Sequence, residues 1–181
     1  MGIFSNIQLN NFEDLLFLEL NDLYDGEQRL CDCLPKMATA ATALTLKQAF
    51  TDHAVQTKRH ASRLEQIFVE LGKPAGQEVC HAMKGLIKEG TEIMDAAGSS
   101  DVRDAALIST AQRIEHHEIA GYGSARTFAQ YLGHASVVRL LQSTLDEEKQ
   151  ADAKLTALAE DNINLKGVGS SNVMGSTEWE A

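Results

Sequence analysis

The sequence predicts an all-α fold, a bundle of four long helices with a fifth helix crossing over between its halves. The chain has 181 residues, of which two are proline and 6% aromatic. Together with its many Ala, Leu, Glu and Gln residues, that balance favours helix over sheet. Apolar residues return at spacings of three and four over long stretches, the period of a helix face turned toward a core. The length suits one domain with a sizeable core.

The first helix opens at Asn11, which with Asp14 three residues later forms an N-terminal cap. Its apolar stripe runs through Leu16, Leu20, Leu23, Leu30 and Leu34, and Glu27 stands on the same stripe. Pro35 is expected to bend the last turns, and a turn is expected near Ala41 or Thr42. The second helix carries Leu46, Phe50, His53, Thr57, His60, Leu64, Ile67 and Leu71 on one face, until Gly72-Lys73-Pro74 stops it. A crossover helix over residues 78–97 follows, weakened by Gly85 and Gly90. The third main helix begins at Ser100 or Asp101 and ends at Leu132 before Gly133. Ser136 caps the fourth, which is expected to run to about Asn162. Residues 1–166 form the helical domain. Residues 167–181, rich in Gly and Ser and containing the single Trp179, are expected to be a flexible tail.

A formal charge of −10 argues against nucleic-acid and anionic-membrane surfaces, both of which select basic patches. No apolar run approaches a membrane span, and Met1-Gly-Ile-Phe-Ser-Asn6 fits neither a signal peptide nor a myristoylation signal. The cytoplasm is the expected compartment, with Cys31, Cys33 and Cys80 reduced and serving in packing.

Acids on the apolar stripes point to chemistry. Glu115 and Glu118 lie three apart, on the face that also carries Ala111, Tyr122 and Ala125. On the fourth helix Glu148 and Asp152 line up with Leu141, Leu145 and Leu155. Counted from the two turns at about 1.5 Å per residue, Glu27, Gln56, Glu118 and Glu148 stand at matching depths. His60, Glu115 and Asp152 are expected to form a second layer one turn further from the turns. Acids in a low-dielectric core need cations or protons to neutralise them, and oxygen-rich sites with some imidazole suit iron or manganese. Four helices giving inward Glu and His residues make the ferritin-like dimetal-carboxylate layout. The alternatives are structural. Glu27 pairs with Lys58 or an arginine, His60 is a buried histidine bonded to a carboxylate, and His53, Gln56 and Tyr122 support the site from behind. His116, His117 and Glu147 fall on outward faces.

Several segments carry a resemblance: Leu-Tyr-Asp-Gly-Glu-Gln-Arg-Leu at 23–30, His53, Arg-Leu-Glu-Gln-Ile-Phe at 63–68, Met-Lys-Gly-Leu-Ile-Lys-Glu-Gly at 83–90, Arg-Asp-Ala-Ala-Leu-Ile at 103–108, Glu-His-His-Glu-Ile-Ala-Gly-Tyr-Gly at 115–123 and Leu-Asp-Glu-Glu-Lys-Gln-Ala-Asp at 145–152. In these the chain resembles the YciE/YciF-type ferritin-like bacterial stress proteins. The resemblance implies a five-helix ferritin-like fold, a homodimer, a di-iron or dimanganese centre and a role in general or oxidative stress. The chain departs from the family after His53, where Val55 and Gln56 stand in place of Glu. That departure leaves two occupancies open, two ions or one.

The expected function is therefore iron or manganese binding in the bundle core by Glu27, His60, Glu115, Glu118, Glu148 and Asp152, with oxidation of Fe(II) by peroxide or dioxygen. The rival reading is a non-catalytic structural or partner-binding dimer with a partial metal site, its partner docked through the C-terminal tail. Manganese-dependent peroxide disproportionation is a third.

Overall fold

The computed structural model describes residues 7–76 and 78–171, and no strand occurs among them. Five main helices follow in order: α1 (Phe12–Ala40), α2 (Leu44–Glu70), α3 (His81–Met94), α4 (Ser100–Tyr131) and α5 (Ala135–Leu158). A π-helical turn (Ala159–Ile163) leads α5 into α6 (Asn164–Ser171).

The punctuation residues act as their chemistry requires. The Asn11 carboxamide accepts the Asp14 N–H at 2.8 Å and starts α1. Gly72 and Gly133 take φ of 64° and 78°, closing α2 and α4 in the left-handed conformation that a side chain disfavours. The N-terminus of α2 has no cap of its own. Asp104, buried on α4, supplies one by accepting Thr42 N–H at 2.8 Å and Ala43 N–H at 2.6 Å.

Three boundaries differ from expectation. The crossover helix is shorter at both ends, ending at Met94 and starting only at His81, where the Cys80 sulfur accepts the Met83 N–H and caps it. Helix α5 starts at Ala135, and the Ser136 hydroxyl donates to Glu70 instead of capping. The helical path also continues past Asn162, so the expected boundary at 166/167 falls inside α6. There a Cβ at Gly167 would meet the backbone of Asp101 and Val102 at ordinary contact distance, 3.7–3.9 Å, and α6 packs on α4. Trp179 lies outside the described residues.

Helices α1 and α2 form one antiparallel pair and α4 and α5 the other, while α3 packs outside against α1 and α4. Two apolar clusters fill the interior. One gathers Leu34, Met37, Leu46, Phe50, Leu107 and Leu155 near the α1–α2 turn. The other gathers Leu16, Ile67, Phe68, Ala129, Val137 and Leu141 near the α4–α5 turn. The two turns thus lie at opposite ends of the bundle. Between the clusters, midway along all four long helices, lies a buried polar layer.

Candidate metal centre

Six side chains form that layer. Glu27 comes from α1, His53 and His60 from α2, Glu115 and Glu118 from α4, and Glu148 from α5. Each is at most 7% exposed. Helical period explains why they face inward. His53 and His60 are seven residues apart and share a face, as do Glu115 and Glu118 at three.

Their ligand atoms fall into two groups, each within 4.8 Å. One contains His53, Glu115, Glu118 and Glu148, and the other contains Glu27, His60 and Glu148. Glu148 belongs to both, with Oε1 toward His60 and Oε2 toward His53. Helix α2 contributes two imidazoles here, in place of the carboxylate missing at Gln56.

Each histidine is held so that one nitrogen faces the layer. His60 Nε2 stands 2.7 Å from Glu147 Oε2 and donates to it, leaving Nδ1 toward Glu148 at 2.6 Å and Glu27 at 3.3 Å. Despite these distances, Nδ1 has no hydrogen bond of acceptable geometry. In His53, Nδ1 lies 3.4 Å from the Gln56 carbonyl oxygen, and Nε2 faces Glu115 at 3.2 Å and Glu148 at 3.8 Å. A carboxylate or amide behind the imidazole, with the free nitrogen in front, is the arrangement that orients a metal-ligating histidine. The Tyr122 hydroxyl donates to Glu27 Oε1 at 2.5 Å. Arg63 pairs with Glu147 through both terminal nitrogens and steadies it behind His60.

The carboxylates are under-satisfied. Both oxygens of Glu118 and of Glu148, and one each of Glu27 and Glu115, lack a hydrogen-bond partner among the described residues. Burial raises the pKa of Glu27, raises Glu115 to about 7 and lifts Glu118 well above the usual carboxylate range, with neighbouring carboxylates adding to the Glu118 shift. Burial alone would push the histidines down. The facing carboxylates outweigh it and raise His53 to about 9 and His60 to about 10. Glu147 goes the other way, held at about 2 chiefly by Arg63. In the metal-free chain protons therefore do the neutralising, and the orphaned oxygens opposite the inward imidazole nitrogens form a donor set that could hold a metal ion in their place.

The positions expected from sequence divide as follows. Glu27, His60, Glu115, Glu118 and Glu148 lie in the layer, with Gln56 and Tyr122 bonded to its members. His53, expected behind the site, stands within it. Asp152 lies outside. Rotated about 40° from Glu148 by the i+4 step, it accepts from Gln112 at 3.0 Å and faces His116 at 3.5 Å. The expected second layer of His60, Glu115 and Asp152 does not form. With the two turns at opposite ends, stepping away from them moves along α2 and along α4 in opposite directions, so His60 meets Glu27 while His53 meets Glu115. Glu147, expected on an outward face, is three-quarters covered and bonded to His60. A cleft of roughly 160 Å³ between α2 and α5, lined by Gln56, Gln150 and Lys154 among others, reaches His53 and Glu115 from outside.

Comparison with known proteins bears on the family and the fold. The chain is 40% identical to the protein YciF of Escherichia coli over 161 residues, covering 88% of this chain and 97% of that one. The crystal structure of the E. coli stress protein YciF superposes with a TM-score of 0.83, covering 86% of this chain and 99% of that one. YcfI of Rhodopseudomonas palustris, described as a candidate structural protein, is also 40% identical and gives a TM-score of 0.80 over 84% of this chain and 98% of that one. A protein of Xanthomonas campestris pv. campestris, at 17% identity and a TM-score of 0.70 over 89% of this chain and 98% of that one, shares the fold. The family described as a domain of unknown function, DUF892, matches residues 11–167, and the chain belongs to it.

Proposed function

We propose that this protein is a ferritin-like dimetal protein of the stress response that binds two divalent ions, iron or manganese, in its central layer and oxidises Fe(II) with peroxide or dioxygen. The observation that carries the reading is the set of buried carboxylate oxygens and imidazole nitrogens that face one another without hydrogen bonds. When bound, the ions supply electron transfer to a small oxygen species. The chain's own residues do the rest. Glu148 spans both positions, Glu27 and His60 hold one side, and His53, Glu115 and Glu118 hold the other. Glu147, partly exposed, joins His60 Nε2 to solvent and gives protons a route into the layer. The α2–α5 cleft is wide enough to admit a molecule the size of peroxide. For peroxide the balance is two Fe(II) ions each losing one electron, with two protons entering and two waters leaving.

No helix among the described residues is long and apolar enough to cross a membrane. We place the protein in the cytoplasm as a homodimer, where its three free thiols stay reduced. Purification without chelator followed by metal analysis tests the reading. Iron or manganese at about two ions per chain, with peroxide-dependent Fe(II) oxidation that Glu148→Gln abolishes, is the expected result. A folded protein that neither carries nor takes up either metal would overturn it.

Similarity to YcfI, described as a candidate structural protein, favours a second reading: a non-catalytic dimer with a partial site, docking a partner through its C-terminal tail. Deleting residues 172–181 separates the two. Loss of assembly or partner binding with metal content unchanged and no Fe(II) oxidation supports the second reading.

A further inference from the structure

A separate group of ligating side chains lies outside the central layer, where α1, the start of α3 and α4 meet. Cys80 Sγ stands 3.0 Å from Asp22 Oδ2 and 3.5 Å from His117 Nε2, and the last two atoms are 3.9 Å apart. These are three chemically different ligands from three elements. We propose that Asp22, Cys80 and His117 bind a zinc ion, which ties the crossover to the α1–α4 face. The proposal stands whether or not the central layer holds iron or manganese.

Geometry carries it. Zinc bonds of about 2.3 Å to sulfur and about 2.0–2.2 Å to nitrogen and oxygen give tetrahedral edges of about 3.3–3.6 Å. The three observed edges bracket that range, so an ion fits against all three atoms after shifts of a few tenths of an ångström. Charge fits as well. A thiolate and a carboxylate neutralise the divalent ion, and a thiol–imidazole–carboxylate set selects a borderline-soft cation over magnesium or calcium.

The sulfur is held in place before any ion arrives. The Cys80 N–H donates to Asp25 at 2.8 Å, Asp25 is itself fixed by Arg29 at 2.6 Å, and the sulfur accepts from Met83 N–H. The Arg29 charge is therefore already paired. Cys80 is fully buried, whereas the Asp22 and His117 side chains are 37% and 29% exposed. An ion enters from that side, and a water completes the fourth position. Without metal the Cys80 S–H donates to Asp22. On binding, the Zn–S bond forms as the S–H bond breaks and its proton leaves to solvent, so affinity rises with pH.

Cobalt(II) titration of the full chain, stripped of metal, tests this, because Co(II) bound to a thiolate shows a sulfur-to-cobalt absorption in the near ultraviolet. One equivalent should generate the band and an equivalent of zinc should abolish it. The band should be absent from Cys80→Ser, and His117→Ala should weaken cobalt binding by about tenfold or more. Cys31→Ala and Glu118→Gln should leave the band intact, the latter separating this site from the central layer. His117 is partly exposed, so its alanine variant tests the site even where Cys80→Ser does not fold. A wild-type chain of full helical content that gives no thiolate band, or a band that survives Cys80→Ser or is undiminished in His117→Ala, would overturn the proposal.

Discussion

Glu118 is 1% exposed and neither of its oxygens has a partner among the described residues. An ionised carboxylate in that position is costly without a cation, so the metal-free chain keeps it protonated. Glu118→Gln should therefore leave the metal-free protein as stable as before or more stable by about 1–2 kcal/mol, while metal content falls sharply. Urea unfolding and metal analysis on the same samples check both halves. Asp152→Asn should leave metal content unchanged, since Asp152 pairs with Gln112 and His116 away from the layer. The shifted groups also set a pH dependence for the metal-free protein. Glu115 titrates at about 7 against 4.5 in the unfolded chain, and His53 and His60 at about 9 and about 10 against 6.5. Folded values raised in this way mean that the native chain binds the extra protons, so stability is fully present at low pH and falls as pH rises from about 4.5 to 10. Glu147, lowered to about 2, contributes in the opposite sense and loses its share only as pH falls toward 2. Thermal unfolding of the metal-free protein should thus be highest in mild acid and drop toward pH 10, and loading with metal should flatten that drop. The sequence pointed to five of the six residues that the structure gathers in the layer, because inward acids break an apolar period. His53 was visible on its stripe and expected behind the site, while the structure stands it within the layer facing Glu115 and Glu148, since the direction of the neighbouring helices decides which histidine meets which carboxylate.

Helix contacts set where those residues stand. Gly121 sits where α4 crosses α1, and a Cβ there would lie 2.8 Å from a methyl of Leu23 and 3.4 Å from Glu19. Gly121→Ala should wedge the two helices apart and destabilise the fold by about 1–3 kcal/mol. Because Glu118 lies one turn away, the variant should also weaken metal binding, measurable by competition with a chelator. Asp104 works on another element. It caps α2 from α4 through Thr42 and Ala43, and Asp104→Ala should cost about 1–2 kcal/mol in urea unfolding. The helices themselves were legible from period and from the Asn11, Gly72 and Gly133 signals. Asp104 was not, because its partners lie some sixty residues earlier in the chain and no local pattern marks them. The π-helical turn at Ala159–Ile163 and the passage into α6 were equally silent. The Gly/Ser composition there reads as loop, and only the packing of α6 on α4 shows why it stays helical.

Two helical pairs whose turns lie at opposite ends bring the middles of all four long helices together, with an apolar cluster on either side of the polar layer. That topology makes the centre of the bundle the one level that every long helix reaches, and it requires α3 as the connection between the pairs. Counting residues from each turn identified the central level correctly. The layers beyond it differ from expectation, because the two turns lie at opposite ends of the bundle. The proposed centre uses this whole arrangement: two ions sharing Glu148, one held with Glu27 and His60 and the other with His53, Glu115 and Glu118. Anomalous scattering at the iron and manganese edges, from crystals grown with each metal, tests it most directly. Two peaks should appear in the layer, one on either side of Glu148. Absence of both peaks from loaded crystals, or binding confined to sites outside the layer, would contradict it.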